Sequence, residues 1–172
     1  MQGTESATAE RTRLDEIIER HLGRAGGLLG ILEEAQEEQA SRYLPEADLR
    51  YIAERTGTPL AQVYSVATFY SFFSLTPQGR HSLVVCRGTA CHTRGSRELL
   101  EEALREEGFD PLEAAEEGTR TTPDGFLSVR TVACFGQCAL APVIMCDGVI
   151  RSLMTPAKTI ALLRRLRKGV AL

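Results

Sequence analysis

Two short stretches carry residue types suited to metal or redox chemistry. They are Cys86-Arg87-Gly88-Thr89-Ala90-Cys91 and Cys134-Phe135-Gly136-Gln137-Cys138. Each is a cysteine pair at loop spacing with a glycine between its members. Each also follows an apolar, β-branched run, Leu83 to Val85 before the first and Val129 to Val132 before the second. Two strand ends that deliver two thiolate pairs to one place create a four-sulfur site, and three chemistries compete for it. Structural zinc uses four thiolates, but its knuckles favour C-x2-C, and here the spacings are C-x4-C and C-x3-C. Thiol–disulfide exchange needs C-x-x-C at a helix start, which this sequence lacks. An iron–sulfur cluster suits the residues in between. Its sulfides and thiolates accept backbone N–H bonds, and Gly88 and Gly136 let the backbone approach closely and turn with positive φ. A Rieske centre is a poor fit, because His92 adjoins Cys91 but the second pair has no matching histidine. His92 therefore reads as a loop donor. Two pairs matched to two irons give one 2Fe–2S cluster, whose oxidised charge of about −2 calls for N–H donors around it. Spacing favours that cluster and leaves zinc and other roles open.

The elements that must position these loops lie in the second half of the chain. His81 to Val85 forms a strand into Cys86, and Phe126 to Ala133 a strand into Cys134. Between them Ser96 can cap a helix over Arg97 to Glu107, with Leu99, Leu100, Ala103 and Leu104 as its apolar stripe. Residues 110–125 are polar and acidic and close on the turn Pro123-Asp124-Gly125. Val143 to Cys146 and Val149 to Ser152 flank Asp147-Gly148, a strong hairpin signal. Thr155-Pro156 caps a last helix that carries Ile160, Leu162, Leu163 and Leu166. Cys146 reads as a small buried strand residue rather than a fifth ligand. The order β-α-β-β-β-α is that of a pared-down thioredoxin-like fold.

The first half reads as helices. Residues 1–10 suggest a mobile arm, and residues 11–79 a small bundle. Leu14, Ile17, Ile18 and Leu22 fall at helical spacing, as do Leu28 to Ala35. The Gly23–Gly30 stretch between them joins helix to helix and lacks the Lys-Ser/Thr ending, so it is no phosphate loop. Pro45 opens a third helix that Gly57 stops, and Thr58-Pro59 caps a fourth. Tyr64, Phe69, Tyr70, Phe72 and Phe73 are too many aromatics for one bundle core. They read as a seam with the second half or as a surface for a partner. Thr76-Pro77-Gln78-Gly79 breaks the chain, leaving residues 80–172 as the α/β part.

Bulk properties restrict the function classes. Five cysteines is an odd count for a disulfide framework. The first residues show no basic-then-apolar signal, which points to a reducing, cytosolic compartment. No apolar run approaches the roughly 18–20 residues of a membrane span. The net charge of −3 gives no reason to expect nucleic acid, and the cluster Arg164, Arg165, Arg167 and Lys168 reads as a solvated helix face.

The chain resembles the 24-kDa-type (NuoE-like) subunit of respiratory NADH dehydrogenase, whose relatives serve NAD-linked hydrogenases, some of them electron-bifurcating, and formate dehydrogenases. The resemblance runs from about Leu28 to Leu166. It rests on Tyr43-Leu44-Pro45, Val63 to Tyr70, Val85 to His92, Cys134 to Cys138, Ala141-Pro142-Val143 and Leu153 to Pro156. It implies an α/β, thioredoxin-like ferredoxin domain over 80–172 behind a helical bundle, with one 2Fe–2S cluster on Cys86, Cys91, Cys134 and Cys138. It also implies a partner subunit that binds FMN and NAD(P), with no nucleotide site on this chain and no catalysis by the chain alone. Gln137 and Ala139 depart from the family pattern, as does Cys146. Two other classes predict different behaviour: a zinc-stabilised assembly subunit would be colourless, and a thiol oxidoreductase would cycle a disulfide.

Overall fold

The computed structural model describes residues 3–110 and 118–169, with side chains from residue 11. The middle of the acidic stretch read at 110–125 lies outside the described residues. The chain divides into two compact units, Met1–Pro77 and Gln78–Leu172.

The first unit holds α1 (Gly3–His21), α2 (Gly27–Glu38), α3 (Glu46–Thr56) and α4 (Leu60–Phe69). Helical backbone thus begins at Gly3, within the stretch read above as an arm. The expected apolar stripes meet in one core of Leu14, Ile17, Ile31, Leu32, Leu49, Ile52 and Val63, each at most 1% exposed, except that Leu22 falls past the end of α1 and is exposed. Two buried polar side chains are satisfied across that core. Gln36 donates to the Phe72 carbonyl and accepts from the Ser74 N–H, and Asp48 pairs with Arg13 at 3.3 Å. The Thr58 cap does not form. Its hydroxyl bonds that of Thr56, and Pro59 precedes α4 with no side-chain cap. The aromatic stretch splits: Phe73 and Tyr64 pack on the core, while Phe69 is 79% exposed and stacks edge-on with Tyr70.

The second unit is a five-stranded mixed sheet with two helices on one face. The strands are β1 (His81–Cys86), β2 (Arg120–Thr121), β3 (Leu127–Val132), β4 (Ile144–Cys146) and β5 (Val149–Arg151), in spatial order β2-β3-β1-β4-β5. Only β1 and β3 are parallel; β2 was not expected and pairs antiparallel with β3. The short α5 (Thr89–His92) and α6 (Ser96–Glu106) cross between the parallel strands, and α7 (Pro156–Arg167) follows the β4–β5 hairpin. Alternation along β1 sends Leu83 and Val85 to the helix-covered core with Leu99, Leu104, Leu127, Ile144 and Leu163. Cys86, one residue on, belongs to a separate cluster with Cys91, Ala141 and Val143.

Local signals were met unevenly. Asp147 and Gly148 both have positive φ, as a tight hairpin turn requires, and Thr155 caps α7 by accepting from the Lys158 N–H. Ser96 does not cap α6; it is the first helical residue, buried, and Gly95 precedes it. The basic end of α7 is not simply solvated. Arg164 pairs with Glu106, and Arg167 pairs with Glu107 and Asp124 while lying 4.3 Å from the centre of the Phe126 ring.

Candidate metal centre

Because β1 and β3 run parallel, their cysteine loops leave from the same end of the sheet. Cys86 ends β1 opposite Val132, which ends β3. The Cys86 N–H donates to the Val143 carbonyl at 3.2 Å, and the Arg87 N–H to the Val132 carbonyl at 2.8 Å. The chain then makes the single turn α5, closed by His92 N–H to the Gly88 carbonyl, which returns Cys91 to the side of Cys86. The second pair leaves β3 into an irregular loop that ends in a 3-10 turn over Cys138–Leu140. Cys86 and Cys91 are each 2% exposed, whereas Cys134 and Cys138 are open to solvent.

All four sulfurs line one hollow, with Gly88, Ala90, Phe135, Gln137 and Val143. Cys134 Sγ and Cys138 Sγ are 3.7 Å apart. Two sulfurs on one tetrahedral metal, each at about 2.3 Å, stand about 3.8 Å apart, so this pair already has the span of two ligands on one ion. Cys86 lies near enough to Cys91 and Cys134 for both thiols to lower its own. Among the described residues, no three His, Cys, Asp or Glu side chains are placed to hold a single ion.

Backbone donors converge on the sulfurs. The Gly136 N–H donates to Cys134 Sγ at 3.2 Å. Gly88 and Phe135 donate to Cys86, and Val143 to Cys91. Burial pushes the Cys86 thiol up, but the Gly88 and Phe135 N–H groups, joined by the Cys91 and Cys134 thiols, outweigh it and hold it below the ordinary value. Cys91 is pushed up by burial and then by its bond with Cys86, and Cys138 chiefly by its bond with Cys134. The opposite directions at Cys86 and at Cys91 and Cys138 are those of sulfurs that compete for one set of donors. The donor set thus fits a cationic iron core that would relieve that competition.

The two glycines serve different ends. Gly136 has φ +80° and holds its turn as expected. Gly88 does not have the expected positive φ; its φ of −57° and ψ of 155° are open to any residue. What it provides is space, because a Cβ there would lie 2.8 Å from the Ala133 carbonyl oxygen and 3.5 Å from Cys134 Cβ.

The remaining residues singled out by sequence fall outside the hollow or at its edge. His92 is exposed and does not line it. Cys146 is fully buried in the sheet opposite Leu83, its thiol pushed up to about 11 by burial and then by the Asp147 charge. Gln137 lines the hollow and accepts from the Ser152 hydroxyl at 3.3 Å. Sequence reasoning did not find Arg94, whose Nη1 donates to the carbonyls of Ala139 and Ala141, both at 3.3 Å. Nor did it single out the N–H groups of Phe135 and Val143. Its position one turn after Cys91 was the available signal for Arg94; the two N–H donors have no side-chain signature.

Residues 14–167 match the family described as thioredoxin-like 2Fe-2S ferredoxin. The chain is 34% identical over 143 residues to the NADP-reducing hydrogenase subunit HndA of Solidesulfovibrio fructosivorans, covering 83% of this chain and 78% of that one. It is 34% identical over 148 residues to NADH-quinone oxidoreductase subunit 2 of Thermus thermophilus, covering 86% and 77%. With an NADH-quinone oxidoreductase subunit of Rickettsia bellii it shares 30% over 155 residues, covering 89% and 88%. In backbone it is similar to NAD+-reducing NiFe hydrogenase in the H2-reduced state, with a TM-score of 0.67 at 22% identity over 86% of this chain. It spans 23% of that hydrogenase chain, and the likeness is one of fold.

Proposed function

The chain belongs to the thioredoxin-like 2Fe-2S ferredoxin family, and on that premise we propose that it is a one-electron carrier subunit whose cluster is held by Cys86, Cys91, Cys134 and Cys138. The observation that carries this reading is the single hollow lined by all four sulfurs, with one pair at a shared-ligand distance. The cluster supplies an acceptor and donor of single electrons. This chain's residues hold it and set how readily it takes charge. N–H groups of Gly88, Phe135, Gly136 and Val143 point at the sulfurs and favour added negative charge there. The burial of Cys86 and Cys91 keeps water from one side, while Cys134 and Cys138 face outward, where an electron can leave.

The exchange partner in this reading is the flavin of an NAD(P)H-oxidising or NAD(P)-reducing subunit in a larger complex. Two relatives bear the names of a hydrogenase subunit and a quinone oxidoreductase subunit, which supports a hydrogenase or a respiratory enzyme as the parent; a formate dehydrogenase is the third assignment. No nucleotide or membrane role is assigned to this chain, and among the described residues no helix is long and apolar enough to cross a membrane. In this reading residues 11–79 are a helical bundle preceded by an arm at 1–10, and residues 80–172 are the cluster domain.

Anaerobic purification tests the site. About two irons and two sulfides per chain, with an EPR signal on reduction, are expected. Serine at any of the four cysteines should lower that content. Zinc without sulfide would refute the assignment. Co-purification with a flavin-bearing subunit tests the partner, and isolation of the native complex without one would overturn that part.

A further inference from the structure

Arg94 is placed by the first cysteine loop and spent on the second. Its backbone N–H donates to the Cys91 carbonyl at 3.2 Å, which fixes it one turn beyond that cysteine. Gly95, at φ +88°, then turns the chain into α6. The side chain leaves this corner and donates from one nitrogen to the carbonyls of Ala139 and Ala141. Both acceptors lie within three residues of Cys138. Inside that turn the ties are local: Leu140 N–H to the Gln137 carbonyl at 3.0 Å and Ala141 N–H to the Cys138 carbonyl at 3.4 Å. A guanidinium that bonds two carbonyls is a charge-assisted tie, stronger than the neutral bonds beside it.

We propose that Arg94 is a positioning residue for the cluster: it pins the outward-facing Cys138 turn to the Cys91 turn and brings a fixed positive charge to the carbonyls that follow Cys138. This rests on the ligand assignment above. Two effects follow from one side chain. Holding the turns together slows departure of the metal, because the exposed pair must swing out before iron is released. A cation near a site that becomes more negative on reduction stabilises the reduced form and raises the potential.

The test compares iron release to a chelator and the midpoint potential in the cluster-loaded chain. Arg94→Gln is expected to release iron at least about tenfold faster, the lower end for losing a hydrogen bond made by a charged group, and to have a more negative potential. Arg94→Lys keeps the charge on a shorter side chain and should restore the potential more fully than the release rate. Arg97→Gln, a cation three residues on that pairs with Glu101 instead, should change neither. An Arg94→Gln chain that matches the wild type in both overturns the proposal. Faster release with an unchanged potential and a lower unfolding temperature also overturns it, since that is a purely structural role. If the wild type itself holds no iron and sulfide, the ligand assignment falls and this inference with it; a loaded wild type with an unaffected variant sinks this inference alone.

Discussion

Adding a single methyl group at Gly88 should disturb the site without disturbing the backbone that carries it. At φ −57° and ψ 155° alanine is as comfortable as glycine, so no conformational strain enters. The new Cβ would instead stand 2.8 Å from the Ala133 carbonyl oxygen, and about 0.6 Å of retreat is needed to reach ordinary contact. Ala133 is the residue before Cys134, and Gly88 lies between Cys86 and Cys91. The displacement therefore falls directly between the two thiolate pairs. Overpacking of this kind costs about 1–3 kcal/mol when the structure must give. Here the loops can yield by parting, so the cost is expected in cluster retention more than in folding. Gly88→Ala should reconstitute with less iron and release it to a chelator about ten times faster than wild type, equivalent to 1.4 kcal/mol. Its unfolding temperature before reconstitution should stay close to the wild-type value. Gly136→Ala provides the contrast. Nothing lies within 4 Å of its Cβ, but φ is +80°, so its penalty of about 1–2 kcal/mol is conformational. Asparagine, which tolerates that region, should recover part of the loss at 136 and none at 88. A Gly88→Ala chain with wild-type iron content and release rate would refute the close-approach argument.

Two further outcomes are expected. Cys146→Ser should leave iron and sulfide content unchanged while lowering stability by about 1–3 kcal/mol, because it places a hydroxyl in the sheet core; iron analysis and thermal unfolding check the two halves separately. The Asp124 carboxyl is held far below the ordinary range, first by the Thr122 hydroxyl and then by Arg167 and the Phe126 N–H. Its contribution is complete above the unfolded value of about 3.9 and fades as pH falls toward the folded one. Asp124→Asn should therefore flatten the loss of stability between about pH 4 and pH 2, followed by far-UV circular dichroism; parallel curves for variant and wild type would contradict the assignment.

The four ligand candidates were legible because each pair sits in a short loop, where spacing and composition are local properties. So were the helix cores, since Leu14, Ile17 and Ile18 or Leu99, Leu100 and Ala103 repeat at a period the chain displays directly. What escaped depended on partners distant in sequence. Arg120-Thr121 is too short and polar to announce a strand and becomes one only beside Val129 and Ser128. Ser96 and Thr58 have the chemistry of caps, but Ser96 is drawn into the buried helix and Thr58 into a bond with Thr56. Arg94 bonds carbonyls 45 and 47 residues away, and backbone carbonyls have no sequence signature. At Gly88 the close approach holds and the positive φ does not; the neighbour it accommodates is Ala133, which only the fold brings near.

The parallel ladder from His81–Leu127 to Cys86–Val132 has a consequence for how such a centre can change by descent. The relative level of the two cysteine pairs is written in its rungs, not in the dozens of residues that cross between the strands. Lengthening or trimming the crossover leaves both pairs facing each other. A single residue lost inside β1 or β3 would slide one pair by about 3.3 Å and turn its side chains to the opposite face. Insertions and deletions should thus accumulate between the strands and be purged from within them, so that the sheet keeps the gauge of the metal site while the surrounding chain drifts.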